Sequence, residues 1–331
     1  MRAGKTIKCP PSISESLQTK DGLLGKLLKP STRLFLKEAR SQRDFCISDW
    51  LHGYVYARWP YLYIGVGTRE HRLTWLFETI WKIFCKITRP RLSDDSSSKG
   101  VAFAATYHGK VVSLEQARRL VTVNREIALR DLEQVIPYSR ARDIVLKNPD
   151  HIVVLECPCR ASRRNPCRPL DVCLIVGEPF AGFISEHHPS RSRWITQQEA
   201  VDILTAEHKR GHVHHAFFKD VMLGRFYAIC NCCSCCCGAM QAWQNGTPML
   251  ASSGYVSRVD PIRCSGCGKC VKTCQFEAIQ MIDGKAHVQE DLCMGCGVCL
   301  SMCDQEAHSL VRDQGRGEPL EIHELMAGSK A

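Results

Sequence analysis

Much of the usual catalytic vocabulary is missing from this sequence. It has no P-loop, no GxGxxG dinucleotide fingerprint and no serine–histidine–aspartate arrangement, so phosphoryl transfer, dinucleotide binding and triad hydrolysis find no support. CxxCH does not occur, which removes the attachment signature of a c-type haem. No recognised nucleic-acid-binding motif accompanies the basic residues, and no nucleic-acid partner is expected. The opening stretch MRAGKTIKCPPSISES is basic but carries no apolar h-region, so no secretory signal is visible. Long apolar runs are absent as well. Leu73–Ile87 (LTWLFETIWKIFCKI) is helical in pattern, with Thr74, Glu78, Lys82 and Lys86 on one stripe, but at 15 residues with three charges it is too short to span a bilayer. Burial within its own domain is the first expectation for it, an interfacial membrane or partner helix the second.

Cysteine, by contrast, is abundant, at 21 among 331 residues. Cys9, Cys46 and Cys85 stand alone, and Cys85 reads as a small buried residue on its apolar helix. All the others fall in four tight groups after residue 156. Such clumping argues against a disulfide scaffold, which spaces its cysteines to close loops. Direct neighbours such as Cys232–Cys233 and Cys235–Cys236–Cys237 cannot easily bridge to one another. The expectation is a cytoplasmic, reducing setting in which thiolates serve metals.

Charge is shared unevenly. Residues 1–100 hold 18 Lys and Arg against 9 Asp and Glu, whereas residues 255–312 hold 6 against 7. Most of the formal net charge of +10 therefore lies in the first third, a solvated basic face or a surface for an acidic partner or anionic lipid. Peripheral membrane contact through this region belongs among the expectations.

The chain divides into a basic, aromatic-rich N-terminal region (1–98), a cysteine-rich middle domain (101–250), a C-terminal domain (255–312) and a tail (313–331). Residues 1–22 read as a flexible arm and Ser93–Gly100 (SDDSSSKG) as a linker. Tyr54–Gly67 has strand-like aromatic content broken by Pro60. Ser113–Gln116 has the form of a capping box, with a helix expected to run to about Ile136, and Thr196–Glu199 opens a second helix that Gly211 closes. Apolar runs at Ile152–Leu155, Val172–Val176 and Arg225–Ile229 lead into or contain cysteines. The middle domain is therefore read as mixed α/β, and the whole chain as α+β.

The strongest signal is an internal repeat. Cys264, Cys267, Cys270 and Cys274 recur with the same spacing as Cys293, Cys296, Cys299 and Cys303, and Gly266, Gly268, Glu277 and Ala278 recur as Gly295, Gly297, Glu306 and Ala307. Two-residue gaps let three successive sulfurs curl round one compact object, and the glycines permit the tight turns. The segment 255–312 closely resembles the bacterial-type two-[4Fe-4S] ferredoxin family. That resemblance implies one cluster on Cys264, Cys267, Cys270 and Cys303, and a second on Cys293, Cys296, Cys299 and Cys274. Ala278–Val288, centred on Asp283–Gly284, reads as the connecting hairpin. The family usually has proline after the fourth cysteine; here Gln275 and Asp304 stand there, and the acid should lower the nearby potential. Structural zinc, which uses separated cysteine pairs, fits this spacing poorly.

The middle domain offers Cys157, Cys159, Cys167 and Cys173, then Cys230, Cys232, Cys233, Cys235, Cys236 and Cys237 as a candidate third site. Its ECPCR and CNCCSCCC stretches are similar to poorly characterised iron–sulfur proteins that end in a ferredoxin domain. One or two additional Fe–S clusters, zinc, or a dithiol redox pair are the alternatives. Arg160, Arg163, Arg164 and Arg168 would offset the charge of an anionic cluster and raise its potential. His187, His188, His212, His214 and His215 are better read as core or surface histidines than as ligands. The leading functional expectation is an iron–sulfur electron-transfer protein or redox-complex subunit with a redox partner protein. An oxidoreductase with a catalytic cluster or thiols in the middle domain, and a metal-binding assembly factor, are the alternatives.

Overall fold

A computed structural model describes residues 28–42, 45–70, 74–75, 79 and 96–328. The expected arm, Cys9, Cys85 and most of Leu73–Ile87 lie outside these residues; Thr74, Trp75 and Thr79 are helical.

The centre of the molecule is one eight-stranded sheet. Its strands are β1 (Tyr107–Val112), β2 (Ile127–Leu129), β3 (Ile144–Glu156), β4 (Asp171–Glu178), β5 (Ser192–Ile195), β6 (Val213–Lys219), β7 (Arg225–Cys232) and β8 (Leu250–Ala251). The order is β2-β3-β4-β7-β6-β1-β8, with β5 also pairing β3. Every pairing is antiparallel except β1 with β8. The 13-residue β3 serves two partners along one edge, β2 at Ile144–Leu146 and β5 at Ile152–Leu155.

Both faces of this sheet are covered, so its inner strands read as continuous apolar runs rather than alternating ones. Side-chain parity nevertheless sorts them. Ile152 and Val154, Leu174 and Val176, Ala216 and Phe218, and Ile229 enter one core, roofed by the helices Leu114–Val121, Gln197–Lys209 and Ile322–Gly328. Val153 and Leu155, Cys173 and Ile175, Val213 and Phe217, and Ala228 and Cys232 enter the other. The second core is roofed by Phe35, Tyr56, Phe180 and Phe183 from three helices, Pro30–Arg40, Ile47–Arg58 and Phe180–His187. Full burial of consecutive residues such as Phe217 and Phe218 on opposite faces contributes roughly 1.5–3 kcal/mol each.

Several local expectations change in the structure. The aromatic stretch after Tyr54 is helical, because Pro60 begins the helix Pro60–Gly67 at a position where no backbone N–H is needed. Ser96–Gly100 is the first turn and a half of the helix Ser96–Thr106, anchored by buried Ala104, and no linker. Ser113 and Gln116 do form a capping box, but the helix stops at Val121 and the chain enters β2 before Pro137. Thr196 caps Gln197–Lys209 by accepting from the Glu199 N–H at 3.1 Å, and Gly211 follows with φ +84°.

The C-terminal segment forms two small antiparallel sheets. β9 (Tyr255–Val259) pairs β12 (His308–Arg312), and β10 (Ile279–Ile282) pairs β11 (Lys285–Val288) as a hairpin. Asp283 and Gly284 at its turn have φ +49° and +73°, the signature of a type I′ turn. Among the described residues no helix is long and apolar enough to cross a membrane.

Candidate metal centre

The C-terminal repeat is a repeat in space. Gly266 and Gly295 both have left-handed φ, and a Cβ on either would lie 2.2 Å from a backbone oxygen, of Gly284 and of Tyr255. Each loop then runs through a second left-handed glycine, Gly268 or Gly297, into a short helix, Lys269–Thr273 or Val298–Ser301. The last cysteine of each loop accepts an N–H four residues on, Ala278 to Cys274 Sγ and Ala307 to Cys303 Sγ, both at 3.3 Å. Cys274 is carried away from its own loop and shares its electrostatic neighbourhood with Cys293, Cys296 and Cys299. Cys270 keeps Cys264 and Cys267 beside it.

The two loops differ in exposure. Cys267 is exposed, and the Lys269 backbone N–H holds its thiol below the ordinary range. Cys299 is buried, and burial pushes its thiol up to about 12.

The ten middle-domain thiols separate into two groups. Cys167, Cys233, Cys235 and Cys236 lie with their sulfurs within 4.8 Å of one another, Cys167 to Cys235 at 3.3 Å and Cys235 to Cys236 at 3.7 Å. Burial raises the Cys235 thiol, but hydrogen bonds from the other three, Cys167 first, outweigh it and hold the thiol below its ordinary value. The remaining six, Cys157, Cys159, Cys173, Cys230, Cys232 and Cys237, line a largely apolar cavity in the second core, whose wall Cys233 and Cys236 of the compact group also reach and whose volume is about 70 Å³. That is several times the room of a single water. Cys173 and Cys230 face each other across β4 and β7 with sulfurs 3.4 Å apart, and that hydrogen bond, with burial, raises the Cys230 thiol well above its usual range.

Strand parity explains part of this sorting. Cys230 and Cys232 alternate on the chamber side of β7; the chain then turns, and of the cysteines that follow, Cys233, Cys236 and Cys237 still reach the chamber wall while Cys235 does not. The cavity is completed by Tyr56, Pro60 and Ile64 from the N-terminal helices and by Tyr107 and Tyr227. Nothing in the local sequence of Tyr54–Gly67 marks Tyr56, Pro60 or Ile64 as part of a thiol-lined cavity. Tyr56 and Tyr227 hydroxyls are 2.8 Å apart, and Lys219 Nζ sits over the Tyr107 and Tyr56 rings at 4.4 and 4.9 Å. Burial brings Lys219 down to about 8.

Arg160 does not serve as a free countercharge. Its side chain is 1% exposed and its Nη2 lies 2.6 Å from Glu207 Oε2. It also donates to the carbonyls of Pro169 and Asn231, which flank the other cysteine segments. Asn231 Nδ2 in turn donates to the Val172 carbonyl at 2.7 Å. Arg160 thus ties three cysteine-bearing stretches together. Arg163 donates to the Cys236 carbonyl and pairs with Glu70, while Arg164 and Arg168 are exposed.

All five histidines in question are buried. His187 bonds Thr32, His188 the Ala57 carbonyl, His212 Glu207 and His214 Asn231; none joins the compact thiol group. Cys46, left without a partner by the sequence, is disulfide-bonded, unlike the 18 free cysteines of the C-terminal two-thirds.

The two thiol-rich regions touch. Gln275 Oε1, one residue after Cys274, accepts from the Ser234 N–H at 2.9 Å and from its hydroxyl at 3.0 Å. Phe276 packs edge-on against Trp243, with ring centroids 5.3 Å apart.

Residues 263–315 match the 4Fe-4S dicluster domain family. This stretch is an iron–sulfur ferredoxin-type segment, set in an α+β chain. No curated protein and no solved structure matches the chain.

Proposed function

We propose that this chain is an electron-transfer protein or the electron-handling subunit of a redox complex. Cys264, Cys267, Cys270 and Cys303 hold one [4Fe-4S] cluster and Cys293, Cys296, Cys299 and Cys274 the other. A further cluster is held among the six chamber thiols. When bound, such groups supply one-electron carriage with no proton chemistry asked of the protein. The chain's own residues bury, orient and connect these sites.

The observation that carries this reading is the Gln275–Ser234 contact. It joins the residue beside Cys274 to the turn whose two ends, Cys232 and Cys237, line the chamber. The donor set fits the chamber, a largely apolar space lined by these six cysteines together with Cys233 and Cys236. Exposed Cys267, next to Lys269, marks the face at which a redox partner protein would exchange electrons. Iron and acid-labile sulfide analysis of anaerobically purified protein tests the assignment. About eight of each per chain would leave the chamber empty and sink the relay, while about twelve is expected.

One observation favours a second reading, an oxidoreductase acting at the chamber. Burial raises the Tyr56 and Tyr227 hydroxyls, keeping them protonated beside a cavity with room for a small molecule. Turnover of a small reducible substrate with an artificial donor, abolished by Tyr227→Phe, would establish it.

A further inference from the structure

We infer that Cys167, Cys233, Cys235 and Cys236 bind a single tetrahedral metal ion, zinc or iron, and not an inorganic cube. The inference goes beyond the electron relay and does not depend on it.

Size decides between the two occupants. Thiolates 2.3 Å from one tetrahedral ion stand ~3.8 Å apart. The four sulfurs already lie within 4.8 Å of one another, with separations of 3.3 and 3.7 Å for two of the pairs. Closing them on one ion asks for small adjustments. A cube needs its thiolates outside four irons, spread much further apart. Spreading three of these would mean opening the turn in which the Cys236 and Cys237 N–H groups bond the Cys233 carbonyl at 3.3 and 3.0 Å.

The chain supplies its own control. Among the described residues this is the one group of three or more cysteines, histidines or carboxylates so compact. The ferredoxin loops, whose spacing suits cubes, hold their sulfurs wider. Four thiolates also close the coordination sphere, leaving no position for a substrate, so the ion would be structural or would carry electrons. The Arg163 guanidinium on the Cys236 carbonyl supplies a nearby positive charge for the anionic site.

The test is to purify the full chain anaerobically, alone and as Cys167→Ala and Cys235→Ala, and to measure zinc, iron and labile sulfide on each. Each variant should lose one zinc or one iron per chain while sulfide is unchanged. Loss of zinc identifies a structural ion; loss of one iron, with a high-spin ferric signal in the oxidised parent, identifies a mononuclear redox ion. Loss of about four irons together with about four sulfides overturns the inference, as does no change in any metal. Native mass spectrometry of the unsubstituted chain gives the same count should the variants fail to fold. A mass of cubes plus one ion supports the single site; cubes alone refute it.

Discussion

The ferredoxin segment and the middle domain are both cysteine-rich, yet they gather their sulfurs in opposite ways. In the first, fixed short spacings curl three sulfurs together within ten residues, and the repeat supplies the rest. In the second, Cys173 meets Cys230 and Cys167 meets Cys235 across 57 and 68 residues. There the fold does the assembling, by the pairing of β4 with β7 for Cys173 and Cys230 and by the loops before β4 and after β7 for Cys167 and Cys235. Local spacing makes a site that can be read from sequence; strand pairing makes one that can be seen only folded.

Removing single ligands should break this contrast most strongly. Cys296→Ser is expected to lower iron and sulfide by about four each and to spare the chamber, whereas Cys230→Ser should do the reverse. Differential metal analysis of the two variants checks it. Next in size is Glu207→Gln, which leaves Arg160 charged, buried and unpaired. A loss of about 3–5 kcal/mol is expected in denaturant unfolding, with iron lost from the chamber before the ferredoxin loops.

Acid comes third. Burial lowers His208 to about 4 and His214 and His215 to about 3. Because their folded values lie below the unfolded 6.5, the unfolded chain binds more protons as pH falls. Stability is therefore full above pH 6.5 and declines toward pH 3, by about 2 kcal/mol per histidine at pH 5. A pH series of unfolding midpoints should show this, with His214→Asn flattening the slope. The smallest effect is expected for Gln275→Pro, which restores the residue usual in ferredoxins. Losing two hydrogen bonds to Ser234 should cost about 1–3 kcal/mol. Faster amide exchange at Ser234, with the cluster count intact, would sharpen the case that Gln275 is a connector.

What was legible in the sequence follows the same divide. The repeat, the Asp283–Gly284 turn, the Ser113 box and the Thr196 cap are all local, and each stands where its residues suggest. The aromatic content of Tyr54–Gly67 suits strands and settles nothing by itself, since its helices are set by packing on the second core. The helix expected to reach Ile136 stops at Val121 because the chain there turns to pair β2 with β3. Arg160 sits among cysteines in sequence, and nothing local announces that its partner is Glu207, 47 residues on. The meeting of Cys167 with Cys233, Cys235 and Cys236 likewise needs the folded chain.

Cys232 beside Cys233, and Cys236 beside Cys237, give the two thiol groups a common wall one residue thick. Consecutive Cα atoms are locked 3.8 Å apart by a planar peptide bond. A shift in either thiol set is then passed along the backbone to its neighbour in the other. The two thiol sets are thus mechanically coupled, like rooms sharing a single partition.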